Sequence, residues 1–226
     1  MPDSSSSHNA CSRSLSENAC VVLGLTGALI PLLAITVSIA LSPWFSIYEN
    51  ALSDLGHVTR SSVAPIFNFG LSVGGFLMGS YAFSCAIKRD KKVAASIMVM
   101  GLTLMLVGVY DEAYNRHWHL HFKVSVLFFL SLMLFLATLA VSRRRISPLV
   151  SLVIIILAWT GFYKHAYPGG TCVPELISIL ATMPFYLEIV LENTTTTSSS
   201  AKAKKNENLR LKQAVIPKQS LCYCSL

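Results

Sequence analysis

Charge is what this sequence has least of. Of its 226 residues, 13% are Asp, Glu, Lys or Arg and 53% are hydrophobic. A soluble domain carries about 25% charged residues to cover its surface, so a water-exposed globular domain is excluded. The high hydrophobicity argues against a disordered chain. Period-two alternation of polar and apolar residues, which an outer-membrane barrel requires, is missing as well. A separate secretory leader is not expected, because residues 1–19 are polar and Ser-rich and the first apolar block is too long for a leader's core. What remains is an all-α integral membrane chain.

The apolar residues come in blocks. A bilayer core about 30 Å thick is crossed by about 20 mostly apolar residues in a helix. Six blocks qualify: 20–42, 63–87, 93–110, 122–142, 146–163 and 173–191. The third and fifth are near the short limit. Charge within the blocks is confined to their edges, at Lys123, Glu175 and Glu188. Lipid satisfies no backbone amide, so each block is expected to be helical. The predicted organisation is a polar N-terminal segment (1–19), a bundle of six transmembrane helices (20–191) and a disordered basic tail (192–226).

Lys and Arg are unevenly distributed among the connections. The N-terminal segment, the second and fourth connections and the tail hold 14 of them, and the odd-numbered connections hold 4. The positive-inside bias then puts both termini in the cytoplasm and the odd connections outside, in the plasma membrane. The net charge of +7 thus reads as topology. Its residues flank membrane spans without interleaved stacking aromatics, so no nucleic-acid partner is expected. This orientation places Cys11, Cys20, Cys85, Cys222 and Cys224 toward a reducing compartment and leaves Cys172 alone outside, so no disulfide is predicted.

Local signals shape the helices. Gly70, Gly74, Gly75 and Gly79 form two overlapping G-x-x-x-G pairs, which let neighbouring backbones approach closely. Pro31 and Pro184 interrupt the first and sixth blocks. Ser147 and Pro148 read as the N-cap and first residue of the fifth helix. Trp44, Trp118, Trp159, Tyr48, Tyr110, Tyr114, Tyr163 and Tyr167 fall near the outer boundary as an interfacial belt.

The outer connections also collect titratable groups. Five of the six histidines (His57, His117, His119, His121 and His165) lie there with Glu49, Asp54, Asp111, Glu112 and Glu175. The connections are short, so these groups share one membrane face. The segment 42–56 is too apolar for an ordinary loop. As a helix from Ile47, ended by Gly56, it would be a short amphipathic or re-entrant piece with Glu49 and Ser53 one turn apart. Asp54 could cap the turn that follows it. Glu175 would lie at the positive end of the sixth helix's dipole. The site candidates are Glu49, Ser53, Asp54, Glu112, His121 and Glu175. Asp54, Glu112 and His121 would be the ligands if a divalent metal is bound.

Several runs carry a resemblance: Ser42-Pro43-Trp44-Phe45-Ser46, the stretch from Glu49 to Gly56, Pro65 to Leu71, Gly108 to Glu112, His121 with Ser125 four residues on, Phe128-Phe129, and Val173-Pro174-Glu175-Leu176. Over about residues 20–191 the chain resembles the archaeal and bacterial six-pass membrane family catalogued as domain of unknown function 998. The resemblance implies a six-helix membrane protein and no established activity. His117, His119 and both tails stand outside its pattern, which favours His121 as the histidine that matters.

Three function classes remain open at this point. A membrane hydrolase or lipid-modifying enzyme would use the carboxylates and His121 as acid/base groups or metal ligands. A non-catalytic lipid or small-molecule sensor, or an assembly protein, would use the same groups as a buried polar network. A transporter ranks third, because the span centres lack charge. Topology is directly testable in a chain whose six cysteines are replaced. A membrane-impermeant maleimide applied to intact cells is expected to label Thr59→Cys and to spare Lys91→Cys; the reverse pattern would overturn the orientation.

Overall fold

The computed structural model describes the backbone of residues 4–114, 119–164 and 169–192, with side chains for 18–113, 119–164 and 169–192. The described residues are helical, with no strand among them. In chain order the long helices are α1 (Ser4–Ala40), α2 (Ala64–Ser84), α3 (Lys91–Val109), α4 (Leu120–Arg143), α5 (Ser147–Tyr163) and α6 (Cys172–Glu192). Short 3-10 turns stand at Leu52–Gly56, Ala86–Lys88 and Glu112–Tyr114.

Five of these helices are long and apolar enough to cross a membrane: Asn18–Ala40 within α1, α2 with the turn after it, α3, α4 and α6. At 17 residues, α5 is the short one. Their outward faces could not tolerate water. On α2, Phe69, Phe76 and Phe83 recur every seven residues and are 70%, 63% and 68% exposed. Such a stripe suits contact with lipid tails or another apolar surface rather than water.

Small residues set the packing, as the G-x-x-x-G spacing predicts. One face of α2 meets α1, with Gly70 against Ala34 and Gly74 against Pro31, while Gly27 of α1 receives Met78. Its neighbouring face meets α3 through Gly75 and Gly101. A Cβ added at Gly79 would meet nothing within 4 Å, so of the four glycines only three are needed for lack of a side chain.

Several hydroxyls inside the bundle bond locally or between helices, while that of Ser38 in α1 is buried without a partner. The hydroxyls of Thr103 and Ser131 join α3 to α4 at 3.1 Å, and Trp159 Nε1 donates to Ser178 Oγ at 3.1 Å between α5 and α6. Tyr81 donates to the Ile189 carbonyl and Tyr186 to that of Gly24, both at 3.1 Å, which clasps α6 onto α2 and α1. At the same end Arg143 pairs with Glu192 at 2.7 Å and Arg145 with Glu188. We call this the basic end and the opposite one the acidic end.

The structure corrects three expectations. Cys20 and Cys85 form a disulfide, because antiparallel packing of α1 on α2 brings their Cα atoms to 5.9 Å. Cys172 is free and buried. The fifth helix is capped by Ile146 with no side-chain bond, so Ser147 and Pro148 are its first two residues. Asp90 is a side-chain cap, accepting the amides of Lys92 and Val93 at the start of α3. The segment after α1 is not a helix from Ile47; it forms turns and then the 3-10 turn Leu52–Gly56. The basic tail, His117 and His165 lie outside the described residues.

The glycine contacts give a paired prediction. A Cβ on residue 101 would lie 2.6 Å from the Gly75 carbonyl oxygen and 2.7 Å from the Gly79 nitrogen, both backbone atoms. Gly101→Ala is expected to cost about 1–3 kcal/mol. Gly79→Ala, with open space around it, is expected to hold or raise stability. Thermal unfolding of both variants in detergent checks the contrast.

Candidate functional site: carboxylates and a histidine at the acidic end

At the acidic end the first connection runs against the approach to α6. The Gly170 amide donates to the Tyr48 carbonyl at 3.0 Å, and that of Cys172 to the Asn50 carbonyl at 3.1 Å. Only glycine fits at 170, where a Cβ would come 2.5 Å from the Asn50 nitrogen and 2.6 Å from the Glu49 carbonyl carbon. These cross-links take the carbonyls of Tyr48 and Asn50 that a continuous helix would need, which explains the missing helix from Ile47. The Asn50 side chain adds to this by accepting the Ser46 amide at 2.9 Å.

The same pairing brings in Glu175. It is buried, its Oε2 accepts the Leu52 amide at 2.7 Å, and its Oε1 accepts the Thr171 hydroxyl at 2.9 Å. The dipole position read from sequence is therefore joined by a long-range amide bond. Asp54 Oδ2 accepts the Ala51 amide at 2.9 Å and Asn50 Nδ2 at 3.0 Å. It thus caps the turn it belongs to, whereas the sequence suggested the following one. Gly56 ends that turn without a left-handed conformation. Its lack of a side chain admits Asn68, whose Nδ2 donates to the Gly56 carbonyl at 2.8 Å.

Glu112, in the turn after α3, meets Asp54 side chain to side chain. Two carboxyl groups can share a hydrogen bond only if one holds a proton. Burial pushes the Glu112 carboxyl up to about 7, and the Asp54 charge, the bond to Asp54 and the Glu175 charge add to the rise, while Arg60 opposes it. Glu112 Oε2 is buried and has no partner. Asp111, next in chain, folds back so that its Oδ1 accepts the Ala113 amide at 2.7 Å.

His121 is buried in the first turn of α4. Its Nδ1 lies 2.6 Å from the Tyr110 carbonyl oxygen, which requires Nδ1 to be the donor. In the neutral ring that leaves Nε2 as an acceptor, and it faces the Ser125 hydroxyl at 3.3 Å. Asp111, His57 and Asp54 are within electrostatic reach of this ring.

Of the residues singled out from sequence, Asp54, Glu112 and Glu175 come together, with His121 and Asp111 beside them. Glu49 is exposed and Ser53 half-buried. His119 is exposed at the start of α4 with φ 48°. Among the described residues no three His, Cys, Asp or Glu side chains are arranged to hold a metal ion, so Asp54, Glu112 and His121 are not assembled as one ligand set. Asn50 and Arg60 were not foreseen. The spacing of Asn50 to Asp54, four residues, was a signal available for the first; nothing local marked Arg60.

A bundle of long apolar helices with its charged side chains gathered at the ends defines a multi-pass membrane protein. More particularly, the chain belongs to the family described as protein of unknown function DUF998, whose model matches residues 25–187. No curated protein and no solved structure matches the chain.

The raised Glu112 group has a consequence for stability. Between about 4.5 and 7 the folded chain keeps a proton that the unfolded chain has released. Stability therefore falls as pH rises through that window. Glu112→Gln is expected to flatten the fall, read as the change in Tm in detergent between pH 5 and pH 8.

Proposed function

We propose that this is a six-span plasma-membrane protein, termini in the cytoplasm, that binds a lipid head group or small amphiphile at its external acidic end. The observation that carries the reading is Glu112 Oε2, buried beside Asp54 and without a partner. A buried polar atom left unpaired costs about 1–3 kcal/mol, and a ligand that donates to it recovers that cost. Asp54, Glu112 and Glu175 together favour an ammonium or hydroxyl-bearing head group. Glu49, exposed at the rim, adds negative charge to the approach, and Ser53 is a supporting hydroxyl.

A second reading, that the site also acts on its ligand, is favoured by His121. Its Nδ1 bond to the Tyr110 carbonyl fixes the ring and leaves Nε2 to accept a proton. The proton would come from Ser125, from water or from a ligand hydroxyl. Glu112, which holds its proton up to about 7, is the matching acid.

The test uses purified full-length protein in lipid nanodiscs, with retained lipids read by mass spectrometry. Glu112→Gln and Asp54→Asn are expected to stay folded and to lose about tenfold or more in head-group retention, the worth of one charge-assisted bond. Full retention in both would sink the binding reading. Loss of folding in proportion to loss of retention would favour a purely structural polar network. The same preparations with His121→Ala, assayed for turnover of the retained lipid, check the catalytic reading.

A further inference from the structure

Toward the middle of the bundle, below the carboxylates, the interior is not filled. A cavity of about 50 Å³ with a wholly apolar wall lies between α1, α2, α3, α4 and α6. It is placed in line with the polar site. At 1.5 Å per residue, its α6 wall starts at Ile179, about 6 Å below Glu175, and ends at Tyr186, about 17 Å below it. On α3 it reaches Leu104, eight residues before Glu112, and on α4 it begins at Phe128, two turns beyond His121.

The wall offers water nothing. Its two hydroxyls are committed as donors to backbone carbonyls, Thr182 to Ser178 and Tyr186 to Gly24. A buried water needs two to four polar partners, so an apolar space of this kind stays dry and accepts hydrocarbon. Most of the lining is buried, but Leu32 of α1 and Ile179 and Met183 of α6 are half-exposed. The lining therefore comes nearest to the outside on α1 and α6. Pro31, in the wall, and Pro184, next to Met183, each remove a backbone donor there. Met78, Met100 and Met183 contribute unbranched side chains that reshape readily around an inserted chain.

We propose that this cavity binds one acyl chain of a bilayer phospholipid, the apolar half of the ligand whose head group the acidic end receives. The proposal rests on the head-group reading above for its polar half, and the acceptor oxygens of Asp54, Glu112 and Glu175 direct it to a head group whose ammonium donates hydrogen bonds. The chain enters sideways between α1 and α6, and the methionines move to lengthen the space.

The test is photolabelling of the full-length protein in phosphatidylethanolamine-containing nanodiscs doped with phosphatidylethanolamine carrying a diazirine midway along one chain. Adducts are expected on Met78, Met100 and Leu104, which are at most 7% exposed and out of reach of surrounding lipid. Adducts confined to outward residues such as Phe76, Leu130 and Leu134 would overturn the proposal. Leu104→Trp fills the space and is expected to abolish the Met100 adduct while sparing the outward ones. Met183→Phe, at the half-exposed edge of the lining, repeats the test should the first variant not fold; an undiminished Met100 adduct in it counts against entry between α1 and α6. The Asp54→Asn variant separates the two readings. Interior labelling that persists there upholds the chain site and removes the head-group site, whereas interior labelling lost there ties the two together.

Discussion

A backbone amide in hydrocarbon has nothing to bond to except the protein itself. Along the helices the i to i−4 ladder meets that requirement. At the acidic end, where the helices stop, side-chain carboxylates take over. Leu52 gives its amide to Glu175, Ala51 to Asp54 and Ala113 to Asp111. Three acids in a chain with so few are therefore structural first, each fixing a turn that would otherwise leave a donor unpaired. Glu112 is the acid whose Oε2 has no such duty, and that difference marks it within the cluster.

The helical layers were legible because composition and block length act independently of tertiary detail. The glycine spacing on α2 also read correctly, since a small residue every four positions offers one flat face whatever packs on it. The acidic cluster was legible as a set, because short connections limit how far Asp54, Glu112 and Glu175 can separate. Its wiring was not. That Glu175 would hold Leu52, or that Gly170 would lie against Asn50, depends on contacts more than a hundred residues apart. The helix expected from Ile47 failed for the same reason: local apolar periodicity was outweighed by cross-bonds at Tyr48 and Asn50.

The cysteines show the limit of a compartment argument. Their placement near a reducing side suggested free thiols, yet Cys20 and Cys85 pair because α1 and α2 are adjacent and antiparallel. Spacing in sequence gave no hint of it. The residues stand 65 apart, and the glycine contacts further along the two helices bring them level.

That pairing also distributes stiffness. At the basic end α1 is bonded covalently to α2, Tyr186 and Tyr81 fasten α6 to both, and Arg143 ties α4 to Glu192. At the other end the connection from α1 to α2 is held to the start of α6 by hydrogen bonds, from Gly170 to Tyr48, from Cys172 to Asn50 and from Leu52 to Glu175. The two ends of the bundle are therefore fastened by different chemistry: a reductant cuts the covalent fastening of the basic end, whereas the hydrogen bonds that hold the carboxylate end are indifferent to it.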